Sequence, residues 1–524
     1  MIVSIFNDVI GPVMRGPSSS HCAAALRVGR LARDLIGGDF DDVLVEFDRN
    51  GSLPTTHETQ GSDMGLFGGL LGWDAADERL PDAARMLRDA GVRIRIETVD
   101  AGDPHPNTYR LALHNARERH SLIAISTGGG MMEVIAVDGF KVSMCGDCFE
   151  TLLWVKQNGR ELVETLAALM QADEILLHES EGGQLVEVKA GAFVSNHILA
   201  GLCETADILA VKCLAPVLPV LSRKGMSVPF TTCEEMLRHD AGRNTPLWKL
   251  AVDYEMVRGN LTAAEVLAKM VRIVRILRRS IQEGIAGTHY DDRILGHQSG
   301  AFKARMDAGQ LLAAGVLNRT VLYVTALMEV KSSMGIIVAA PTAGACAALP
   351  GSCMAVAEEM GVSEEMMAKA LLASGLIGVL IATRWTFAAE VGGCQAEGGS
   401  AASMAAAALV TLADGTLTQS VAAASMALQS MIGLICDPVA NRVEVPCLGK
   451  NILAASNAIS CANMALAGYD PVVPLDEVIE TARRVGNQLP RELRCTALGG
   501  LSITPTSKMI EQKLAACRSR CGGH

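Results

Sequence analysis

Aromatic residues and charges are both scarce in this sequence: aromatic side chains make up 4% of its 524 residues and charged side chains 20%. Its lysines and arginines are scattered without a basic run, and the formal net charge is −11. This balance gives no electrostatic attraction for nucleic acid or an anionic membrane surface, so we expect neither as a partner. The first residues also lack the charged and apolar regions of a secretory signal, which predicts a cytoplasmic protein.

Disulfide chemistry is not expected either, although the chain has 15 cysteines. They are too sparse for a disulfide-stabilised miniature fold, and in a cytoplasmic protein we expect reduced thiols. An uncharged segment long enough to span a membrane is present. Residues 336–357 carry no charge, but Pro341, Gly344, Pro350 and Gly351 interrupt them, so buried helices and turns are favoured over a membrane span.

Apolar residues are abundant, at 49%, together with 51 glycines and 24 methionines. A chain of this length and composition can build a large core over two to four domains. Apolar patterns predict strands at 42–49 and 92–99, and prolines within 214–229 indicate a linker. From residue 231 onward the spacing is helical, with helices expected at 248–258, 262–284, 307–331 and 364–383. The pattern predicts an α+β protein whose C-terminal half is all-α.

Three cysteines in the C-terminal half lie beside glycine or proline rather than on an apolar face: Cys394, Cys436 and Cys447. Turns at such positions can direct side chains toward one point, and three thiolates suit an iron–sulfur cluster with one iron left open to a ligand. Free cysteine is also a common small core residue, and the gaps of 42 and 11 residues match no short ligand repeat. The residues alone leave both interpretations open.

The segments that contain these cysteines are Gly393-Cys394-Gln395-Ala396-Glu397, Cys436-Asp437-Pro438-Val439 and Val445-Pro446-Cys447. In that order and spacing they resemble the α domain of the iron–sulfur-dependent L-serine dehydratases, or L-serine ammonia-lyases. The resemblance implies that Cys394, Cys436 and Cys447 bind a [4Fe–4S] cluster whose fourth iron binds the substrate. Glu397 and Asp437, beside these cysteines, are candidates to orient the ligands.

The resemblance covers nearly the whole chain. It implies a β domain of α/β type over 1–190, a linker over 191–229, an all-helical α domain over 230–505 and a flexible tail over 506–524. The reaction it implies is β-elimination from a small β-hydroxy amino acid, which gives pyruvate and ammonia when the substrate is L-serine. We also expect a homodimer.

Residues 18–21, Ser-Ser-Ser-His, precede a helical pattern and resemble the signature at the start of the family's β domain. One serine can cap the helix, while the hydroxyls and free amides together can hold a carboxylate. The substrate-binding residues implied by the matching segments are Ser18, Ser19, Ser20, His21, Asn107, Thr342 and Gly344. As catalytic residues we predict His21, whose unperturbed pKa lies near working pH, and Ser20.

Two departures from the family pattern leave the substrate open. Where the family has Lys-Gly-His, this chain has Glu58-Thr59-Gln60, and Cys517 and Cys521 precede the end of the chain instead of a terminal cysteine that can cap the open iron. The alternatives are L-cysteine desulfidation, another β-hydroxy acid, or a non-catalytic amino-acid sensor. A pyridoxal-phosphate enzyme is not favoured, because no lysine has a supporting flanking pattern. An ACT-type regulatory unit, which some relatives carry, has no clear motif here.

Overall fold

The chain alternates strands and short helices up to residue 214 and is almost entirely helical afterwards, which confirms the predicted α+β class. The computed structural model describes residues 2–205 and 207–521. The strands are β1 (Val13–Met14), β2 (Asp42–Asp48), β3 (Arg93–Val99), β4 (Thr108–His114), β5 (Arg119–Gly128), β6 (Met131–Val137), β7 (Phe140–Met144), β8 (Phe149–Val155), β9 (Glu174–Ser180), β10 (Gly183–Ala190), β11 (Ile208–Leu214) and β12 (Ile337–Val338). The first helices are α1 (Ala24–Ile36), α2 (Leu53–Thr56), α3 (Ser62–Leu70), α4 (Ala83–Asp89), α5 (Gly159–Leu169) and α6 (Asn196–Thr205).

The helices of the second half are α7 (Cys233–Asp240), α8 (Leu247–Gly259), α9 (Ala263–Ala286), α10 (Ser299–Asp307), α11 (Val316–Ser332), α12 (Ala348–Met360), α13 (Glu364–Arg384), α14 (Ala389–Gly392), α15 (Ser400–Leu412), α16 (Leu417–Gln429), α17 (Cys447–Leu466), α18 (Leu475–Gln488) and α19 (Pro505–Cys521). Helices appear at all four predicted positions. The helix expected at 307–331 begins later, at Val316, because Gly309 and Gly315 adopt positive φ in the segment before it.

The main sheet of the N-terminal half has six strands in the order β3-β2-β4-β5-β6-β7. Only β2 and β3 are parallel; the other pairs are antiparallel. Buried and less buried residues alternate along β5, as period-two side-chain placement requires. The buried face of the sheet packs against α1, which itself packs against α3.

A second sheet contains four antiparallel strands in the order β11-β8-β10-β9. With α5 and α6 the chain order is β-α-β-β-α-β, which is the ferredoxin-like arrangement. Residues 191–214 therefore differ from the linker predicted for them, because β11 pairs with β8 along the edge of this sheet. The connection between the two halves is the shorter, proline-containing segment that follows Leu214.

The centre of the helical half is α13, which packs against α8, α9 and α15. Every residue of α15 is buried, and six of its 13 residues are alanine, so neighbouring helices can approach closely. The two halves are joined by strand pairing between β1 and β12 and by a π-helical turn, Ile5–Val9, which packs on α13. The buried residues of the main sheet and of the helical half form one continuous hydrophobic core, while the second sheet with α5 and α6 has a smaller core of its own.

Two further segments bear on the predictions. By length and composition α13 could cross a membrane, but 78% of its apolar window is buried inside the fold. Residues Pro505–Cys521 form a helix where a flexible tail was predicted, and the Ser507 hydroxyl near its start accepts a hydrogen bond from the Ala440 amide (2.7 Å). The side chains of Cys517 and Cys521 lie outside the described residues, so the question of whether either caps the cluster stays open.

Candidate active site

The turn at residues 18–21 and the loop between β12 and α12 come from different halves of the chain and meet in the structure. Residues Ser19–Ala23 form a π-helical turn that leads into α1. The Ser19 hydroxyl accepts a hydrogen bond from the Ala343 amide (3.1 Å), and the Ser20 carbonyl accepts one from the Ser126 hydroxyl (2.7 Å). The two predicted substrate loops are therefore adjacent.

His21 is fully buried at this junction, and both of its ring nitrogens have partners. Nδ1 lies 3.0 Å from Ser18 Oγ and 3.4 Å from Glu390 Oε1, while Nε2 lies 2.8 Å from Thr56 Oγ1. Because the Thr56 hydroxyl donates to the Ser52 carbonyl (2.8 Å), it accepts from His21, which assigns the ring proton to Nε2. Nδ1 then carries the lone pair.

Burial, reinforced by the charge of His57, lowers the pKa of His21 to about 3. The imidazole is therefore neutral at neutral pH and available as a proton acceptor. Burial also raises the pKa of the Glu390 carboxyl, with the Asn107 amide opposing the rise.

Two buried polar atoms at this junction have no hydrogen-bond partner among the described residues: Glu390 Oε2 and Asn107 Nδ2. The other end of the Asn107 side chain accepts a hydrogen bond from the Ser52 hydroxyl. The two side chains lie near each other, because Asn107 lowers the pKa of the Glu390 carboxyl, so a polar ligand at this junction would have to replace that contact. The ammonium group of a ligand would match Glu390 Oε2, which accepts, and its carboxylate would match Asn107 Nδ2, which donates.

The loop between β12 and α12 also faces Glu397. The Thr342 hydroxyl accepts a hydrogen bond from the Ala345 amide (3.2 Å) and is hydrogen-bonded to the Glu397 carboxyl. A Cβ at Gly344 would lie 2.5 Å from Glu397 Oε2, so only glycine allows the loop to approach this closely. Burial, together with the nearby Cys394 and Glu390, raises the pKa of Glu397 well above its usual value.

The three predicted ligand cysteines come from three different elements and are all buried. Cys394 precedes the π-helical turn Gln395–Gly399, Cys436 lies in an extended segment bridged to Arg494, and Cys447 begins α17. The Cys394 and Cys436 side chains pack in one cluster, and Cys394 and Cys447 line one small cavity. The structure thus brings the three together, with Gly344 of the substrate loop lining the same cavity.

A lysine and an aspartate support the cysteines. Lys450 Nζ lies 2.7 Å from Asp437 Oδ1 and 3.7 Å from Cys394 Sγ. A hydrogen bond from the Cys436 thiol, together with the Lys450 ammonium, lowers the pKa of Cys394. The pKa of Cys436 is raised well above its usual value by its hydrogen bonds to Cys394 and to Cys495 and by burial.

These residues fit an iron–sulfur cluster by donor chemistry. Three buried sulfur atoms on three separate elements are the soft ligands that such clusters require. Within residues 2–205 and 207–521, no three side chains of His, Cys, Asp or Glu converge closely enough to hold a single metal ion.

The loop that departs from the family pattern lies beside the cysteines. His57 Nδ1 is bound to Asp63 (2.8 Å). Gln60 is 1% exposed, and its Nε2 lies 3.1 Å from Asn441 Oδ1 and 3.5 Å from Cys495 Sγ. Cys495 in turn contacts Cys436, so the altered position 60 is one residue removed from a predicted ligand.

The structure adds four residues that the sequence did not single out: Glu390, Thr56, Lys450 and Cys495. Glu390 lies four residues before Cys394, and Lys450 lies three residues after Cys447. A search of the residues that flank the cysteine segments would therefore have found both. Thr56 and Cys495 become part of the site only through the fold, and no local pattern marks them.

Comparison with known proteins gives matches over both halves. Residues 242–502 match the family model described as serine dehydratase alpha chain. The chain is 32% identical to an L-serine dehydratase of Streptomyces coelicolor over 523 residues, covering 96% of this chain and 99% of the relative. It is 35% identical to the probable L-serine dehydratase alpha chain of Bacillus subtilis (54% of this chain, 95% of the relative). It is also 32% identical to the corresponding beta chain (40% of this chain, 98% of the relative).

Proposed function

Because the chain belongs to the L-serine dehydratase family, we propose that it is a lyase that converts L-serine to pyruvate and ammonia with a [4Fe–4S] cluster held by Cys394, Cys436 and Cys447. The observation that supports this most directly is the meeting of the turn at 18–21, the loop at 340–346 and the cysteine cavity across the two halves. A site made this way contains both a cluster-binding and an amino-acid-binding part.

When bound, the cluster would supply a Lewis acid for the β-hydroxyl, so that hydroxide can leave. The side chains of the protein supply the other interactions with the substrate. Glu390 Oε2 would accept the substrate ammonium and Asn107 Nδ2 would donate to its carboxylate, in place of the contact between the two side chains. The hydroxyl of Ser19 and the amides of the loop at 340–346 form the other side of the proposed substrate site.

His21 is the residue we propose to accept the α-proton, at Nδ1. That nitrogen carries the lone pair, because Nε2 donates to Thr56. Glu390 Oε1 lies 3.4 Å from Nδ1, so its carboxylate would stabilise the imidazolium that forms. Ser18, at 3.0 Å, holds the ring in position.

The test is anaerobic reconstitution with iron and sulfide, followed by absorbance, iron analysis and turnover of L-serine. Serine substitutions of Cys394, Cys436 or Cys447 should each remove cluster absorbance and activity. The matched control is Cys461→Ser, a buried cysteine on the same helix as Cys447 whose thiol lies 3.4 Å from Asn457 Oδ1 and outside the cysteine cavity. A reconstituted wild type without iron, or a Cys394→Ser variant with full activity, contradicts the proposal.

A second candidate substrate is L-cysteine, with sulfide as the leaving group, or another β-hydroxy acid. Gln60 supports these alternative substrates, because its amide lies beside the cysteines at the position where the resemblance implies histidine. Comparing kcat/KM for L-serine, L-threonine and L-cysteine on one reconstituted preparation distinguishes the candidates. The cytoplasmic location and the homodimer stay predictions.

A further inference from the structure

A second cavity lies away from the cysteine site, between α1, the segment after β11 and α9. Its volume is about 510 Å³, and the residues of the candidate active site do not line it in the described part of the chain. Its apolar wall includes Phe6, Pro216, Leu218 and Ile273. The cavity is thus large enough for a small organic molecule and offers it an apolar surface.

The rest of the lining is cationic. Arg27 and Arg30 of α1 face Lys269 and Arg272 of α9 across the cavity, and the one carboxylate in the described lining is Asp74. In a chain with a net charge of −11, four cations around one cavity are a local concentration of the minority charge. Asp74 compensates little: it pairs with Arg30 at 2.9 Å, but 85% of its side chain is exposed to solvent.

Arg27, in the lining of this cavity, has unused hydrogen-bond donors. Only 5% of this residue is exposed, and its Nη1 donates to the Gly130 carbonyl (2.6 Å). Its Nε and Nη2 have no hydrogen-bond acceptor among the residues the structure describes, and its attraction to Asp8 does not bring the two within ion-pair distance. Neither atom is sealed inside the core, so an anion in the cavity could pair with both.

We propose that this cavity binds a small organic anion with two or more negative charges and an apolar portion. Guanidinium groups form bidentate hydrogen bonds with carboxylate and phosphate oxygens, and three of them line this space. The apolar wall would contact the remainder of the ligand. Arg27 and Arg30 lie on the helix that begins just after His21, so an occupant would contact the element that carries the candidate catalytic turn.

The test is isothermal titration of the full-length protein at constant ionic strength with three probes: inorganic phosphate, phenyl phosphate and succinate. Phenyl phosphate should bind more tightly than phosphate, because its ring can contact the apolar wall. Succinate distinguishes a carboxylate ligand from a phosphorylated one. Arg30→Ala and Arg272→Ala should each weaken the best probe about tenfold, as expected for loss of one charge-assisted contact.

Two further variants make the result specific. Asp74→Asn should change the affinity by less than about twofold, because this exposed carboxylate compensates the arginines little. Arg275→Ala, on α9 but bound to Glu364, removes the same charge outside the cavity and should leave the affinity unchanged. The proposal is overturned if no probe binds saturably at millimolar concentration, or if Arg275→Ala weakens binding as much as Arg272→Ala does.

Discussion

At the scale of single residues, the buried His21 connects stability to pH. Its pKa in the folded state, about 3, lies below the ordinary value of 6.5, so the unfolded chain binds this proton first as pH falls. The folded state therefore loses stability between about pH 6.5 and 3, at up to about 1.4 kcal/mol per pH unit from this group. Above pH 6.5 the contribution is constant.

The prediction is that His21→Gln flattens the pH dependence in that window. Urea unfolding of wild type and variant at three pH values, one above the window and two inside it, gives the difference directly, since other titrating groups are common to both. His289→Gln is the control, because the side chain of this histidine is 90% exposed. Parallel curves for wild type and His21→Gln would show that His21 is protonated in the folded state as readily as in the unfolded one.

Lys450 is the second residue with a measurable consequence. It bonds to Asp437 at 2.7 Å and to the Ile435 carbonyl at 2.7 Å in a largely buried setting. Lys450→Met leaves the Asp437 carboxylate without its cation, so we expect a loss of about 3 kcal/mol in the free energy of unfolding of the iron-free protein. Iron content after reconstitution should also fall, because the ammonium favours the Cys394 thiolate.

The control for this substitution is Lys303→Met. Lys303 pairs with Asp307 on the exposed face of α10, so its loss should change stability by less than about 0.5 kcal/mol. Equal effects of the two substitutions on urea unfolding would mean that burial adds nothing to the Lys450–Asp437 pair.

The site residues show what a sequence can and cannot provide at this scale. Cys394, Cys436 and Cys447 lie in recognisable segments, so the order and spacing of those segments are enough to predict their involvement. The pairing of Gln60 with Cys495 joins positions that no local pattern relates, and only the folded chain brings them within 3.5 Å. Likewise Glu390 becomes significant because its burial leaves one oxygen unpaired among the described residues.

At the scale of elements, periodicity predicted four helices of the second half, α8, α9, α11 and α13, and none of those after residue 384. It did not predict β4 to β8 individually, or the sheet to which β11 belongs. Strand pairing is decided between segments distant in sequence: β11 joins β8 across the whole of α5, β9, β10 and α6. The prolines after Leu214 indicated a linker, but they do not mark where the preceding sheet ends.

The packing of α1 on α3 is the element-scale feature that bears most on the active site. Gly65 and Gly69 lie four residues apart on the face of α3 that touches α1. A Cβ at Gly65 would lie 2.0 Å from the Cys22 carbonyl oxygen, and one at Gly69 would lie 2.0 Å from that of Leu26. Since α1 follows directly from the turn with His21, these glycines set the position of the candidate catalytic turn.

We therefore expect Gly65→Ala or Gly69→Ala to cost about 2–3 kcal/mol in unfolding free energy and to lower turnover more than it raises KM. Gly449→Ala is the matched control in another helix, where an added Cβ meets nothing within 4 Å and should be neutral or stabilising by up to about 1 kcal/mol. Thermal unfolding and steady-state kinetics check both effects. A Gly69→Ala protein as stable as wild type would show that α1 and α3 can separate without cost.

At the scale of the whole molecule, the two halves share one core rather than an interface between finished domains. The Glu255 carboxylate of α8 accepts hydrogen bonds from the Ser4 hydroxyl (2.5 Å) and the Ile5 amide (2.9 Å). Arg258 donates to the Ile2 carbonyl (2.6 Å). The first residues of the chain therefore complete the helical half, although the sheets of the N-terminal half lie between them in sequence.

This arrangement predicts how the chain behaves when it is cut. Arg223, Lys224 and Gly225 are exposed in the connection between halves, so a break after Lys224 removes no buried contact. Fragments 1–224 and 225–524, expressed together, should form a soluble complex that unfolds within a few degrees of the intact chain, much as alpha and beta chains exist separately in Bacillus subtilis. Fragment 225–524 alone should be insoluble or unfolded, because Glu255 and Arg258 lose their partners and the surface of α13 under Ile5–Val9 is exposed to solvent.

Gel filtration and thermal unfolding measure both outcomes, with the intact chain as reference. If fragment 225–524 alone unfolds cooperatively at the temperature of the intact chain, the N-terminal turn is not part of the helical core.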